Sequence, residues 1–175
     1  MNILLLGPQG SGKSTHAKLL AQKHDLIFIS IGDLVREKSQ EDSLEGKRIK
    51  GIMEQGDLVD DVTVANLFKE KLEKGGGKGF VTDSYPRRLS QVKTYDPGIE
   101  KVIYLEISDQ EIFNRLLKRG RIDDTKEAIE KRLSIYHEET KPLLDYYQSL
   151  GKLRTLNGEG SIEEIFMRVE EAIND

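Results

Sequence analysis

Short apolar runs alternate along this chain with segments of helical periodicity. Five runs have the length and composition of buried strands, at residues 3–6, 26–29, 80–82, 102–105 and, more weakly, 153–156. Between them, apolar residues recur at the spacing of amphipathic helices over residues 13–24, 62–72, 109–118, 125–139 and 162–173. Buried strands separated by helices predict an α/β fold, a three-layer sandwich around a five-stranded parallel sheet.

Residues 33–60 interrupt this alternation. They are charged and helix-like, and they contain no strand candidate, so they predict a small helical insertion packed on the sheet. The glycine-rich residues 75–79 predict a flexible turn before the third strand.

The first predicted strand leads into a phosphate-loop pattern. Residues 7–14, GPQGSGKS, match G-x-x-x-x-G-K-[ST] and stand between a strand and a helix. Glycines let backbone N–H groups surround an anion, and the helix dipole favours negative charge there. In this pattern Lys13 reaches the terminal phosphates and the Ser14 hydroxyl ligates Mg²⁺. The pattern predicts a nucleotide site, but GTPases, motor ATPases and small kinases share it.

A compact cluster of positive charge lies further along the chain. Arg115, Lys118, Arg119 and Arg121 have no acid among them, and Arg132 follows on the next predicted helix. The chain as a whole is acidic, with 27 basic and 31 acidic residues and a net charge of −4. The cluster therefore suits a compact polyanion such as a triphosphate better than a nucleic-acid surface. A solvated helix end is the simpler alternative.

Two further arginines follow strands. Arg36 comes after the second predicted strand and Arg87 after the third. Ligands of open α/β sheets bind beyond the carboxyl ends of the strands, so both side chains are expected to face the phosphate loop. Asp83 has the position of a carboxylate that holds Mg²⁺ through water, or of a helix-capping or turn residue.

These motifs, taken in order, resemble those of the adenylate kinase family. The resemblance covers essentially the whole chain and rests on GPQGSGKST (7–15), SIGDLVR (30–36), QGDLVDD (55–61), DSYPR (83–87) with Gln91, and RIDDTKEAIEKRL (121–133). It implies a phosphate-loop NTPase fold and a reversible phosphoryl transfer from ATP to AMP, giving two ADP, with Mg²⁺.

The resemblance also assigns residues to roles. It implies ATP contacts at Gly10, Ser11, Gly12, Lys13, Ser14, Thr15, Arg119 and Gly160. It implies AMP contacts at Ile31, Arg36, Asp57, Leu58, Val59, Ser84, Arg87, Gln91, Arg121 and Arg132. The catalytic charges would be Lys13, Arg87, Arg115, Arg119, Arg121 and Arg132, and Mg²⁺ would bind at Ser14 and, through water, at Asp83.

The chain departs from the family pattern at three places. Ile31 stands where a Thr is usual, and Ser84 stands where a Gly is usual, so both affect the AMP side. Gly120 alone separates Arg119 from Arg121, where relatives insert a loop or a small domain. We therefore expect one domain, with a core of residues 1–29, 62–118 and 125–175, an AMP-binding insertion at about 30–61 and a minimal lid at about 119–124. So short a lid predicts some ATP hydrolysis as a side reaction.

The composition of the chain limits the kinds of site, partner and cellular location that we expect. The chain of 175 residues has no Cys, which excludes disulfides and thiolate zinc sites, and its acidic balance argues against nucleic-acid or membrane binding. The absence of signal and membrane segments predicts a cytoplasmic protein, and the monomer is the default expectation. His16, His24 and His137 are interpreted as surface or packing residues. Two alternatives stay open: a UMP/CMP-type kinase, against which Gln91 favours adenine, and a nucleotide-binding regulator with weak turnover.

Overall fold

A five-stranded parallel sheet forms the centre of the molecule. The structure, a computed structural model, describes residues 1–54, 59–119 and 125–174 and, for Arg119 and Arg132, the backbone alone. The strands are β1 (Asn2–Leu6), β2 (Ile27–Ile29), β3 (Phe80–Thr82), β4 (Lys101–Glu106) and β5 (Leu153–Asn157). Their order across the sheet is β2-β3-β1-β4-β5, and every pairing is parallel.

The strand register determines which loops meet at the carboxyl edge of the sheet. Leu4 pairs with Thr82 of β3, and Leu6 pairs with Tyr104 of β4. The chain passes from one side of β1 to the other between β3 and β4, so the loops after β1, β3 and β4 lie next to one another. Such a reversal of strand order is where open α/β sheets bind ligands.

Eight helices pack around the sheet within the described residues. In chain order they are α1 (Lys13–Lys23), α2 (Ile31–Ser39), α3 (Leu44–Glu54), α4 (Asp61–Lys74), α5 (Leu89–Thr94), α6 (Asp109–Arg119), α7 (Lys126–Ser149) and α8 (Ile162–Asn174). The Asp60 side chain caps α4 and the Thr125 side chain caps α7 by accepting hydrogen bonds from backbone N–H groups. None of these described helices has the length and apolar character needed to cross a membrane.

The two faces of the sheet bury separate apolar clusters. On β1, Leu4 and Leu6 face a cluster that α2, α3, α4 and α7 complete, whereas Ile3 and Leu5 face a cluster with α1 and α8. This alternation follows from the two-residue period of a strand, and a sheet covered on both faces requires apolar residues throughout its strands. The three-layer α/β prediction is thereby confirmed.

A third and smaller apolar cluster lies between two helices away from the sheet. Ile112 and Leu116 of α6 pack there against Ile129 and Leu133 of α7. Further along α7, Leu143 and Tyr147 belong instead to the large cluster on the sheet, and Pro142 lies within the helix just before them. Helix α7 therefore bridges two cores.

The predicted helices and strands are found with two differences. Helices α2 and α3 occupy the predicted helical insertion, although residues 55–58 lie outside the described part of the chain. Helix α7 extends ten residues beyond the predicted end at 139, through Pro142. Helix α5, which carries Gln91, was not predicted at all because its six residues are too few to show a periodicity.

Candidate active site

The loop after β1 has the backbone form that the phosphate-loop pattern predicts. Gly10 and Gly12 adopt φ values of +91° and +87°, a conformation that side-chain-bearing residues rarely adopt. Gly12 is the N-cap of α1, and Ser14 and Thr15 are exposed in its first turn. The loop also makes contacts of its own, because Lys13 Nζ donates to the carbonyl oxygen of Pro8 at 3.2 Å and Ser11 is fully buried. The positive end of the helix dipole at this helix start favours an anion.

A cleft of about 540 Å³ opens beside this loop. Its size is in the range of small-molecule sites. Three parts of the chain line it: Gly10, Gly12, Thr15 and His16 from the loop and α1, Glu111, Asn114, Arg115 and Lys118 from α6, and Gly160, Ile162 and Ile165 at the start of α8. Two residues implied to bind ATP at opposite ends of the nucleotide, Gly12 and Gly160, therefore share one cleft.

His16 is a buried packing residue, one of the two possibilities that the sequence offered, and it also lines this cleft. Its side chain is only 1% exposed, and its ring stacks on Phe166 of α8 at a centroid distance of 6.4 Å. Burial, assisted by the positive charge of Arg115, lowers the pKa of His16, so the imidazole is neutral at pH 7. The signal that was available is its spacing: residue 16 is one helical turn after Gly12 and shares its face of α1.

The carboxyl end of β3 brings a carboxylate and an arginine next to the phosphate loop. Asp83 is buried, and its Oδ1 has no hydrogen-bond partner among the described residues. Arg87 is exposed as a whole residue and forms no ion pair with any carboxylate that the structure describes, whereas the adjacent Arg88 binds Asp61 at 2.9 Å. Loss of surrounding water lowers the pKa of Arg87, and Asp83 and Glu139 partly oppose this. The arginine remains a cation and is available for an anion.

Gln91 is already part of a hydrogen-bond network at this loop. Its side chain is buried, and its Oε1 accepts a hydrogen bond from the backbone N–H of Arg87 at 2.7 Å. Burial raises the pKa of Asp61, but hydrogen bonds from Arg88, Ser90 and Gln91 outweigh it and hold that pKa below its usual value. Gln91 thus fixes the position of the Arg87 backbone in addition to any contact with a base.

The two residues that depart from the family pattern on the AMP side contact each other. The Ser84 hydroxyl, which is buried, accepts a hydrogen bond of 2.7 Å from the backbone N–H of Ile31, the first residue of α2. The Ile31 side chain packs in the large apolar cluster. Ser30, the N-cap residue of α2, makes no such side-chain bond, so the helix is capped from the loop after β3.

The remaining predicted AMP residues are only partly described. Arg36 is exposed on α2 and paired with Asp33 one turn earlier, and Val59 packs against the large apolar cluster. Asp57 and Leu58 lie outside the described residues, as does Arg121. The backbones of Arg119 and Arg132 stand at the end of α6 and in the second turn of α7, and the predicted lid around Gly120 is outside the described part.

The loop that carries Gly160 is held firmly against the cleft. Arg115 donates to the carbonyl oxygen of Gly158 at 3.1 Å and pairs with Glu111 at 2.8 Å. Arg168 donates to the carbonyl oxygens of Asn157 and Glu159. Gly160 itself has φ +124°, and a Cβ at this position would approach the Glu164 carboxylate to 2.8 Å. This end of the cleft is therefore preformed and accepts only glycine without strain.

Metal binding by protein side chains alone is not supported within the described residues. No group of three or more His, Asp or Glu side chains there could hold a metal ion. The unpartnered Oδ1 of Asp83 and the exposed hydroxyl of Ser14 fit a different arrangement, in which Mg²⁺ takes most of its oxygens from substrate phosphates and water.

Comparison with known proteins gives consistent matches along the chain. A family model described as adenylate kinase matches residues 5–152. An adenylate kinase of Prochlorococcus marinus (strain MIT 9211) is 39% identical over 178 aligned residues, covering 98% of this chain and 96% of the relative. One from Synechococcus sp. (strain WH7803) is 36% identical with 98% and 97% coverage, and adenylate kinase 1 of Nostoc sp. (strain PCC 7120) is 39% identical with 93% of each chain covered.

Proposed function

Because the chain belongs to the adenylate kinase family, we propose that it catalyses reversible transfer of a phosphoryl group from Mg·ATP to AMP, giving two ADP. The observation that carries this proposal is the adjacency of two loops. The phosphate loop after β1 and the segment with Asp83, Arg87 and Gln91 after β3 follow neighbouring strands in register. A donor and an acceptor phosphate bound at these two loops would lie side by side at one sheet edge.

On the donor side, we assign the ATP phosphates to the loop of Gly10, Ser11, Gly12, Lys13, Ser14 and Thr15. The positive φ values at Gly10 and Gly12 and the position of the loop at the start of α1 support this assignment. The nucleoside would extend along the cleft towards Gly160, whose loop is rigidly held by Arg115 and Arg168. Arg119 at the end of α6 would contribute to the same side.

On the acceptor side, we assign the AMP phosphate to Arg87 and Arg36. Arg87 supports this best, because its guanidinium is a cation without an ion-paired carboxylate in the described chain. Arg36 would have to exchange Asp33 for the phosphate. The Gln91 oxygen accepts a hydrogen bond from the Arg87 backbone. Its amide N–H groups and the second lone pair of that oxygen would recognise the edge of the adenine. Ile31, Ser84 and the segment of Asp57, Leu58 and Val59 would enclose the base.

The reaction needs no general base. An anionic oxygen of the AMP phosphate attacks the terminal phosphorus of ATP, the bond from that phosphorus to the bridging oxygen breaks, and ADP leaves with the electron pair. Catalysis is then positioning together with stabilisation of negative charge on the transferring group. We assign this charge stabilisation to Lys13, Arg87, Arg115, Arg119, Arg121 and Arg132. Mg²⁺, held by the phosphates, by Ser14 and through water by Asp83, would neutralise charge on the donor phosphates.

The experiment is a product assay with a matched pair of variants. The protein is mixed with Mg·ATP and with AMP, UMP or CMP in turn, and the nucleotides are separated by ion-exchange chromatography. AMP should give ADP fastest, chelation of Mg²⁺ should stop the reaction, and Lys13→Ala should lower the rate at least ~10²-fold by removing a preorganised charge. Lys18→Ala is the control, since Lys18 is exposed on the same helix and lies over the Phe28 ring.

Two results would contradict the proposal. A Lys13→Ala protein as active as Lys18→Ala would remove the phosphate loop from the reaction. Faster turnover of UMP or CMP than of AMP would overturn the assignment of the acceptor. Binding of ATP without turnover of any monophosphate would instead support a regulator that retains the fold.

A further inference from the structure

Arg88 binds two carboxylates that belong to two different helices. One terminal nitrogen of its guanidinium donates to Asp61, the first residue of α4, at 2.9 Å, and the other donates to Glu139 of α7 at 3.4 Å. The side chains of Arg88 and Asp61 are 32% and 18% exposed, so this network is partly buried. Water and salt screen charges at such positions less than charges on the open surface. Arg88 therefore compensates both negative charges inside the protein.

The adjacent Arg87 shares the electrostatic surroundings of Arg88 but none of its ion pairs. The loss of water that lowers the pKa of Arg87 is opposed by the negative charges of Asp83 and Glu139, so Glu139 lies near enough to act on both arginines. Among the residues that the structure describes, Glu139 pairs with Arg88 alone. Arg87 is thus left with its fork of N–H groups available for a phosphate.

Glu139 would compete with a bound anion if Arg88 did not hold it. Its side chain is 40% exposed and has several rotatable bonds, so it can turn towards Arg87 once its present partner is removed. Asp61 is restrained in a further way, because the Ser90 hydroxyl donates to its Oδ2 at 2.8 Å. Of the two carboxylates, Glu139 is therefore the one whose release would affect Arg87.

We propose that Arg88 is a positioning residue of the acceptor site, which holds the Glu139 carboxylate away from Arg87 and so leaves Arg87 available for the phosphate of AMP. The inference rests on the proposed function and adds a residue that the family resemblance does not assign. Arg88 does not contact AMP in this role. It prevents an ion pair between Glu139 and Arg87 that would have to be broken each time the acceptor binds.

Two substitutions and their combination separate this role from a purely structural one. Arg88→Met removes the cation and keeps an apolar stem, Glu139→Gln removes the competing charge, and a third protein carries both changes. AMP binding is measured by calorimetry without ATP, and the two KM values by steady-state kinetics. In Arg88→Met, the dissociation constant and the KM for AMP should rise about threefold to tenfold, the effect of one competing ion pair, while the KM for ATP stays within about twofold.

The double variant carries the test. Its AMP affinity should return to within about twofold of the unmodified protein, because the competing carboxylate is absent as well. A structural role predicts no such recovery, since the bond between Arg88 and Glu139 is missing from the single and the double variant alike. Lys141→Met is the control for the loss of a cation near Glu139. Lys141 lies two residues further along α7 and pairs with Asp145 at 3.2 Å, so its loss should leave AMP binding unchanged.

Arg88→Lys provides the same comparison even if Arg88→Met does not fold. The lysine ammonium is a single centre of charge and cannot bind the two carboxylates through separate nitrogens. The AMP affinity should therefore fall less than in Arg88→Met, and Glu139→Gln should again restore it.

Any of three outcomes would overturn the inference. An AMP affinity of Arg88→Met equal to that of the unmodified protein would show that Glu139 does not compete for Arg87. A loss that Glu139→Gln leaves in place would show that Arg88 binds AMP directly or only supports the fold. Equal rises in the KM for AMP and for ATP would show a general disturbance of the site. These results refute this inference alone, whereas an unmodified protein that binds no AMP would refute the proposed function and this inference with it.

Discussion

Replacing Ser84 with alanine tests how the segment with α2 is attached to the core. The Ser84 hydroxyl is the hydrogen-bond acceptor for the Ile31 N–H, at 2.7 Å, and both residues are buried, with 3% and 9% of their surface exposed. Ser84→Ala leaves this N–H buried without a partner, because water does not reach it. A buried donor left unsatisfied costs about 1–3 kcal/mol. For a chain of this size, that lowers the melting temperature by about 2–12 °C.

The matched control is Ser30→Ala. Ser30 is the N-cap residue of the same helix, but its side chain makes no capping bond, so its loss should change the unfolding free energy by less than about 0.5 kcal/mol. Urea unfolding followed by circular dichroism, with linear extrapolation, gives both values. The reasoning is refuted if Ser84→Ala is as stable as the unmodified protein, or if Ser30→Ala is the more damaging change.

The same substitution should also affect the acceptor side of the reaction. Helix α2 carries Arg36, so a loosened start of α2 should raise the KM for AMP and leave the KM for ATP nearly unchanged. Steady-state kinetics with each substrate varied in turn measure the two constants. A parallel rise in both would indicate general destabilisation and not a displaced AMP segment.

Three further substitutions probe other parts of the site. Gln91→Leu should raise the KM for AMP and spare that for ATP, because it removes both the amide and the bond to the Arg87 backbone; an unchanged KM for AMP would contradict this role. Gly160→Ala should raise the KM for ATP and cost about 1–3 kcal/mol of stability, since it combines strain at φ +124° with a 2.8 Å approach to Glu164. Gly151→Ala, with φ +69° but open space around it, is the control for strain alone. Arg132→Ala should lower kcat by roughly 10²–10⁴ with little change in ATP affinity, as measured by kinetics beside a direct titration; a matching loss of ATP binding would make Arg132 a ground-state anchor.

The central architecture could be predicted from the sequence because its determinants are local. Both faces of the sheet are covered, so residues 3–6 of β1 are all apolar, and the phosphate loop is a contiguous pattern. The end of α7 could not be predicted, because an interior proline ordinarily ends a helix. Here the packing of Leu143 and Tyr147 into the large cluster continues the helix past Pro142.

Contacts between distant residues were the part of the site that the sequence did not reveal. Ile31 and Ser84 are separate departures from the family pattern in the sequence, 53 residues apart, and only the fold shows that one caps the other. The burial of His16 likewise depends on Phe166 and α8, from the far end of the chain. Such pairings are set by tertiary packing and have no signature in a local window.

Because α7 packs in two separate cores, the free energy of unfolding should differ between regions of this protein. The first half of α7 contributes Ile129 and Leu133 to a cluster that has four buried residues in the described part of the chain and is shared with the α6 wall of the cleft. Pro142 has no N–H to donate to the carbonyl oxygen of Glu138. One backbone hydrogen bond of the helix is therefore missing between its two halves. Amide exchange in α6 and the first half of α7 should thus proceed through partial unfolding at a lower free energy than global unfolding. The sheet would stay folded while α6 and the first half of α7, which lie beside the phosphate loop, unfold and refold.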